Sequence, residues 1–156
     1  MNLKQGEKKM RFDKFTVKSQ ELVQQSQSLA SQYHNQQIEP EHLLNAMLAE
    51  KDGIARSILR KIGVSPEAVA REAMLAVDKL PKVSGSVGDV YLSNRTKAVL
   101  EAAFSEAQQM KDEYVSIEHI LLAMVEEKAG PSARIFASYG IARDVVLKVL
   151  MGIRGS

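Results

Sequence analysis

Ile38-Glu39-Pro40-Glu41-His42-Leu43-Leu44-Asn45-Ala46-Met47 returns 77 residues later as Val115-Ser116-Ile117-Glu118-His119-Ile120-Leu121-Leu122-Ala123-Met124. The match extends in both directions. Residues 15–79 align with 92–156 without a gap, and 15 of the 65 pairs are identical. Glu50-Lys51 matches Glu127-Lys128, Gly53 matches Gly130, Ile58 matches Ile135 and Gly63 matches Gly140. A unit of this length is too long for a solenoid repeat and reads as a duplicated small helical bundle.

Each copy reads as four helices. The first starts after Thr16 or Ser93, whose hydroxyls suit an N-cap. Leu22, Leu29 and Tyr33, with small Ser26 and Ala30, follow helical spacing in copy one, as do Val99, Ala103, Ala107 and Met110 in copy two. The second helix starts near Pro40 or Ile117. Proline is tolerated in a first turn, and Ser116 supplies a cap with Glu118 at the positive end. The third runs from about Ile54 or Ser132 to Ile62 or Tyr139 and stops at Gly63 or Gly140, where glycine takes the left-handed conformation. The fourth opens with Ser65-Pro66-Glu67 or near Ala142. No segment alternates with period two, so no sheet is expected. The predicted fold is all-α: an eight-helix double bundle of two pseudo-twofold four-helix repeats.

Between the copies lies Leu80-Pro81-Lys82-Val83-Ser84-Gly85-Ser86-Val87-Gly88-Asp89-Val90-Tyr91. Its glycines, serines and proline break helices, but Val83, Val87, Val90 and Tyr91 are apolar. A pure spacer needs no apolar residues, so the segment is expected to be pinned against both repeats. The organisation read from sequence is a domain over 10–154, with repeat one at 15–79, the linker at 80–91 and repeat two at 92–154. Residues 1–9 are expected to be a disordered or non-native extension, because Met10-Arg11-Phe12-Asp13 makes a second plausible start.

Composition excludes several functions. With no cysteine among 156 residues there is no disulfide, thiol nucleophile, Cys-ligated zinc or iron–sulfur cluster. A formal charge of +2 does not indicate nucleic-acid binding. No stretch approaches the roughly 20 apolar residues of a membrane span. The polar start lacks a signal-peptide core, so a cytoplasmic location is expected. The phosphate-loop, nucleophile-elbow and H-E-x-x-H patterns are absent. His42 and His119 occupy duplicated positions, each after a glutamate, and read as structural residues at helix starts rather than metal ligands. What remains is binding, for which a groove where two bundles meet is a natural site.

Met10-Arg11-Phe12-Asp13-Lys14-Phe15-Thr16, Ile38-Glu39-Pro40-Glu41-His42, Leu80-Pro81-Lys82-Val83-Ser84-Gly85 and Lys111-Asp112-Glu113-Tyr114-Val115-Ser116-Ile117-Glu118-His119 together resemble the N-terminal domain of the Clp/Hsp100 AAA+ chaperones, in the form of its ClpB disaggregase branch. The resemblance covers residues 10–154. It implies a non-catalytic domain, itself a monomer without cofactor, at the front of a longer ATPase chain. That chain would use ATP and magnesium, form a homohexamer and work with the DnaK system. The domain would engage unfolded or aggregated polypeptides through a hydrophobic groove between the repeats and pass them to the hexamer pore. The alternative is an adaptor-docking domain of the protease-associated ClpA/ClpC type. The polar residues implicated in client handling fall on Thr16, Asp112 and Glu118. Thr16 and Glu118 also read as helix-start residues, so Asp112 is the better functional candidate. Tyr91, Leu92, Val99 and Ile120 are the expected groove-lining positions.

Overall fold

A computed structural model of the protein describes residues 10–155. The extension expected at residues 1–9 lies outside them. A 3-10 turn (Phe12–Lys14) precedes α1 (Val17–Gln32), β1 (Gln37–Ile38), α2 (Pro40–Ala49), α3 (Ile54–Ile62) and α4 (Pro66–Asp78). The second copy follows as β2 (Tyr91–Leu92), α5 (Asn94–Gln109), α6 (Ile117–Val125), α7 (Pro131–Ser138) and α8 (Arg143–Arg154). The eight helices match the expected double bundle. Two boundaries shift by a residue: α7 starts on Pro131 and ends on Ser138. The face of α1 also differs, because Val23 is fully buried while Leu29 and Tyr33 are half-buried.

Local chemistry sets the helix starts. The Thr16 hydroxyl accepts the Ser19 N–H at 3.1 Å, and the Ser93 hydroxyl accepts that of Thr96 at 3.1 Å. Ser65 does the same for Ala68. Gly63 closes α3 at φ +96°, a left-handed conformation that a side chain would strain. Inside each bundle α2 packs on α1 and α4, and α6 on α5. Across the seam α3 meets α6 and α8, and α4 meets α7.

The expectation of no sheet needs correction. Gln37–Ile38 pairs in parallel with Tyr91–Leu92, and Phe15 forms an isolated parallel bridge with Val115. Strands of two residues are too short to show alternation, so sequence periodicity cannot reveal them. Leu92 is the repeat mate of Phe15, and Val115 is the mate of Ile38. The two pairings are therefore one interaction made twice, each time between different copies. Side chains reinforce both. The Ser19 hydroxyl donates to the Val115 carbonyl at 2.8 Å, and the Thr96 hydroxyl to that of Ile38 at 2.7 Å. Phe15, Ile38, Leu92 and Val115 are all buried, which makes the seam part of one continuous core.

The segment between the copies is held chiefly by repeat one. The Val83 N–H donates to the His34 carbonyl, Asn35 Nδ2 to that of Pro81 and Gln36 Nε2 to that of Asp89. Val90 is buried, and Val83 and Val87 are half-buried.

Both repeated histidines cap helices. The backbone N–H of Glu39 donates to His42 Nδ1, and that of Ser116 to His119 Nδ1, each at 2.8 Å. This leaves the ring proton on Nε2, facing Asn35 Oδ1 at 2.9 Å in repeat one and Asp112 Oδ2 at 2.7 Å in repeat two. Protonating His42 Nδ1 would set two N–H groups against each other in a buried site. Burial lowers its pKa from 6.5 to about 4. The unfolded chain binds this proton below pH 6.5 and the folded chain only near pH 4, so stability falls as pH drops through that window. The expected loss is about 3 kcal/mol. Urea unfolding of the wild type and His42→Gln from pH 7 to 4 checks it. Glutamine keeps a capping acceptor without titrating, so this component of the slope should vanish.

Candidate functional site

An apolar cleft of about 320 Å³ opens on repeat one. Leu22 of α1, Ala46 and Met47 of α2, and Ile54 and Ala55 of α3 form its inner wall, and Ile117 at the start of α6 closes one end. Lys18, Glu21, Glu50 and Asp52 are exposed along its mouth. A second, more polar groove between α1 and α2 shares Glu21, Gln25 and Ala46 with it. The volume falls in the range of ligand sites. The local reason is composition: small Ala46 and Ala55 leave room beside Leu22 and Met47.

The repeat-two counterpart of this cleft has a different fate. Arg95 is the mate of Lys18, and its guanidinium lies over Gly130, the mate of Gly53. A side chain added at Gly130 would collide with it. Arg95 Nε and Nη2 donate to both oxygens of Glu127, at 2.6 and 3.0 Å. Nη2 also reaches Glu41 Oε2 at 3.0 Å. Glu41 is fully buried and accepts the Ser132 N–H at 3.0 Å as well as the Ser132 hydroxyl. Hydrogen bonding to Glu127 raises the Arg95 pKa further.

Two of the expected polar residues converge on one cation, and Glu118 of the two is next in sequence to the cleft residue Ile117. Asp112 and Glu118 share Arg154: its Nη2 lies 2.8 Å from Asp112 Oδ2 and 3.2 Å from Glu118 Oε2. Asp112 also accepts from His119. Arg154 first, and then His119, holds its carboxyl below the usual carboxylate range. The residue with the least evident structural role in the sequence thus has two structural partners. The Thr16 N–H donates to the Val115 carbonyl at 3.0 Å, and its hydroxyl caps α1. Ile117, next to Glu118, carries the chain from this polar group into the cleft wall.

The expected groove-lining residues fare differently. Leu92, Val99 and Ile120 are 2%, 3% and 0% exposed. They are core residues, and none of them lines the open cleft. Tyr91 is exposed, but it lines a separate small pocket with Asn35, Glu39 and Pro81. Sequence reasoning missed Leu22, Met47, Ile54 and Ile117 as cleft residues. A signal was available in the repeat alignment, where Lys18/Arg95, Ile54/Pro131 and Ala55/Ser132 differ in size or polarity.

Among the described residues no group of three or more His, Asp and Glu could hold a metal ion. No helix among them is long and apolar enough to cross a membrane.

Comparison with known proteins places this geometry in a family. The Clp repeat (R) N-terminal domain matches residues 14–139. The chaperone protein ClpB of Bacillus cereus is 39% identical over 150 residues, and that of Nitratidesulfovibrio vulgaris 38% over 151. Each match covers 94% of this chain but only 17% and 18% of the relative, so the chain spans under a fifth of their length. The Hsp104 N-terminal domain of Candida albicans superposes with a TM-score of 0.80 at 26% identity, covering 91% of this chain and 92% of that one. The chain belongs to the Clp repeat N-terminal domain family and is a Clp/Hsp100 chaperone N-domain.

Proposed function

We propose that this domain binds unfolded or aggregated polypeptide segments in the repeat-one cleft and passes them to the pore of a ClpB-type AAA+ hexamer. The observation that carries this reading is the apolar cleft itself, walled by Leu22, Met47, Ile54 and Ile117. Exposed apolar side chains distinguish a misfolded chain from a folded one, and an apolar cleft recognises them without reading a sequence. The ClpB names of its relatives support the wider setting. In that setting the parent chain hydrolyses ATP with magnesium, assembles as a homohexamer, works with the DnaK system and acts in the cytoplasm. The domain supplies client contact and no catalysis. Six weak sites on one hexamer raise the effective affinity by multivalency.

Thr16, Asp112, Glu118 and Arg154 hold the end of the cleft in this scheme, with Ile117 the contacting residue. Titration of the labelled domain with a permanently unfolded protein should shift amide signals of Leu22, Met47, Ile54 and Ile117. Ile117→Asp should weaken binding about tenfold, the cost of losing one apolar contact. Aspartate is favourable in a first helical turn, which offsets part of the packing lost where Ile117 rests on the core. Shifts confined to other faces would sink the reading. Saturable one-to-one binding to a folded adaptor, with no response to unfolded chains, would favour the ClpA/ClpC-type alternative.

A further inference from the structure

We infer that Arg95 makes the domain one-sided: its side chain occupies a second client cleft, built into repeat two, that duplication would otherwise leave open. The inference rests on the client reading of the repeat-one cleft. The two sites correspond residue by residue. Leu22, Ala46 and Met47 have mates in Val99, Ala123 and Met124. Gly53 and Ile54 correspond to Gly130 and Pro131, and the closing Ile117 to Pro40. Most of the wall is thus apolar in both copies; Ser132 in place of Ala55 is the polar exception, and the residue at the mouth is the largest difference.

In repeat one that residue is Lys18, which is exposed. In repeat two it is Arg95, folded inward over Gly130 and clamped by Glu127 and Glu41. Two further substitutions explain why only one side closes. Ser132 holds the Glu41 carboxylate in place, while its mate Ala55 offers no donor side chain. Glu118, the mate of Glu41, is turned to Arg154 instead of to Lys18. A planar guanidinium can bridge two carboxylates, whereas an ammonium is a point charge with no such fork. The occupant of the vacated repeat-two cleft is the same one bound in repeat one, an apolar unfolded segment, because Val99, Ala123 and Met124 repeat the apolar side chains Leu22, Ala46 and Met47.

Native mass spectrometry and amide-shift titration with a short, uncharged, leucine-rich peptide test this. The wild type should bind one peptide, with shifts at Leu22, Met47 and Ile54. Arg95→Ala combined with Glu41→Gln opens the second cleft without stranding a charge at the fully buried position 41, while Glu127 and Glu39 keep partial access to water. It should bind two peptides, with new shifts at Val99, Ala123 and Met124. A folded double variant that still binds one peptide overturns the inference. Arg95→Lys gives a second test that keeps a cation beside Glu41: an ammonium cannot bridge Glu127 and Glu41, so this variant should bind a second peptide, more weakly than the first. A folded Arg95→Lys variant that still binds a single peptide counts against the inference, even if the double variant does not fold. Absence of any peptide binding by the wild type removes the client reading, and this inference with it.

Discussion

Arg95→Ala should lower the unfolding free energy by about 3 kcal/mol, measured by urea denaturation at pH 7. The reason is the group left behind. Glu41 is fully buried, and Arg95 is the cation closest to it. Ser132 supplies two hydrogen bonds to the carboxylate but no charge. Removing one partner of a buried pair leaves an uncompensated charge, which costs more than the pair contributed. The expected loss sits at the low end of that range because the Arg95 side chain is 35% exposed and water reaches it. Adding Glu41→Gln should recover most of the loss. A neutral amide still accepts from Ser132 and no longer needs a cation. If the single and double variants were equally destabilised, the cost would lie in packing around Gly130 and not in the stranded charge.

Phe15→Ala should cost about 4 kcal/mol and lower Tm by about 10 °C. Phe15 is 2% exposed and packs against Phe12 and Phe104, with ring centroids 5.1 and 5.3 Å away. Its neighbours come from both copies: Phe104 lies on α5, and the backbone of Phe15 pairs with Val115. Truncation loses the transfer free energy of the ring and opens a cavity at the seam, where both bundles would have to shift to fill it. Calorimetry should show one transition in wild type and variant alike, since Phe15 belongs to a core shared by the repeats. Two separated transitions in the variant would mean that the repeats fold independently, against the continuous core.

Much of the fold was legible because it is locally encoded. Thr16, Ser65, Ser93 and Ser116 announce helix starts through hydroxyls that meet backbone N–H groups three residues on. Gly63 announces an end through a conformation other residues avoid. The strand pairs were not legible: two residues carry no period, and their partners lie far away in the chain. The site was legible only in part. Asp112 and Glu118 do converge, on Arg154, whereas Thr16 caps α1 and bonds the Val115 carbonyl. Leu92, Val99 and Ile120 were expected at a surface because they are apolar and near the junction, but the same properties suit a core. Apolarity alone cannot say which side of the surface a residue occupies.

The amino-acid sequence by itself determined the duplication, the eight helices with their caps and the membership of the family. Each rests on periodicity, short-range hydrogen bonding or a contiguous motif, and none needs distant residues brought together. Only the tertiary structure decided which of two equivalent clefts stays open. That outcome depends on Arg95 reaching Glu41, 54 residues away, and on Glu41 being held by Ser132, 91 residues away. Side-chain reach and burial settle it, and both exist only once the two copies have packed.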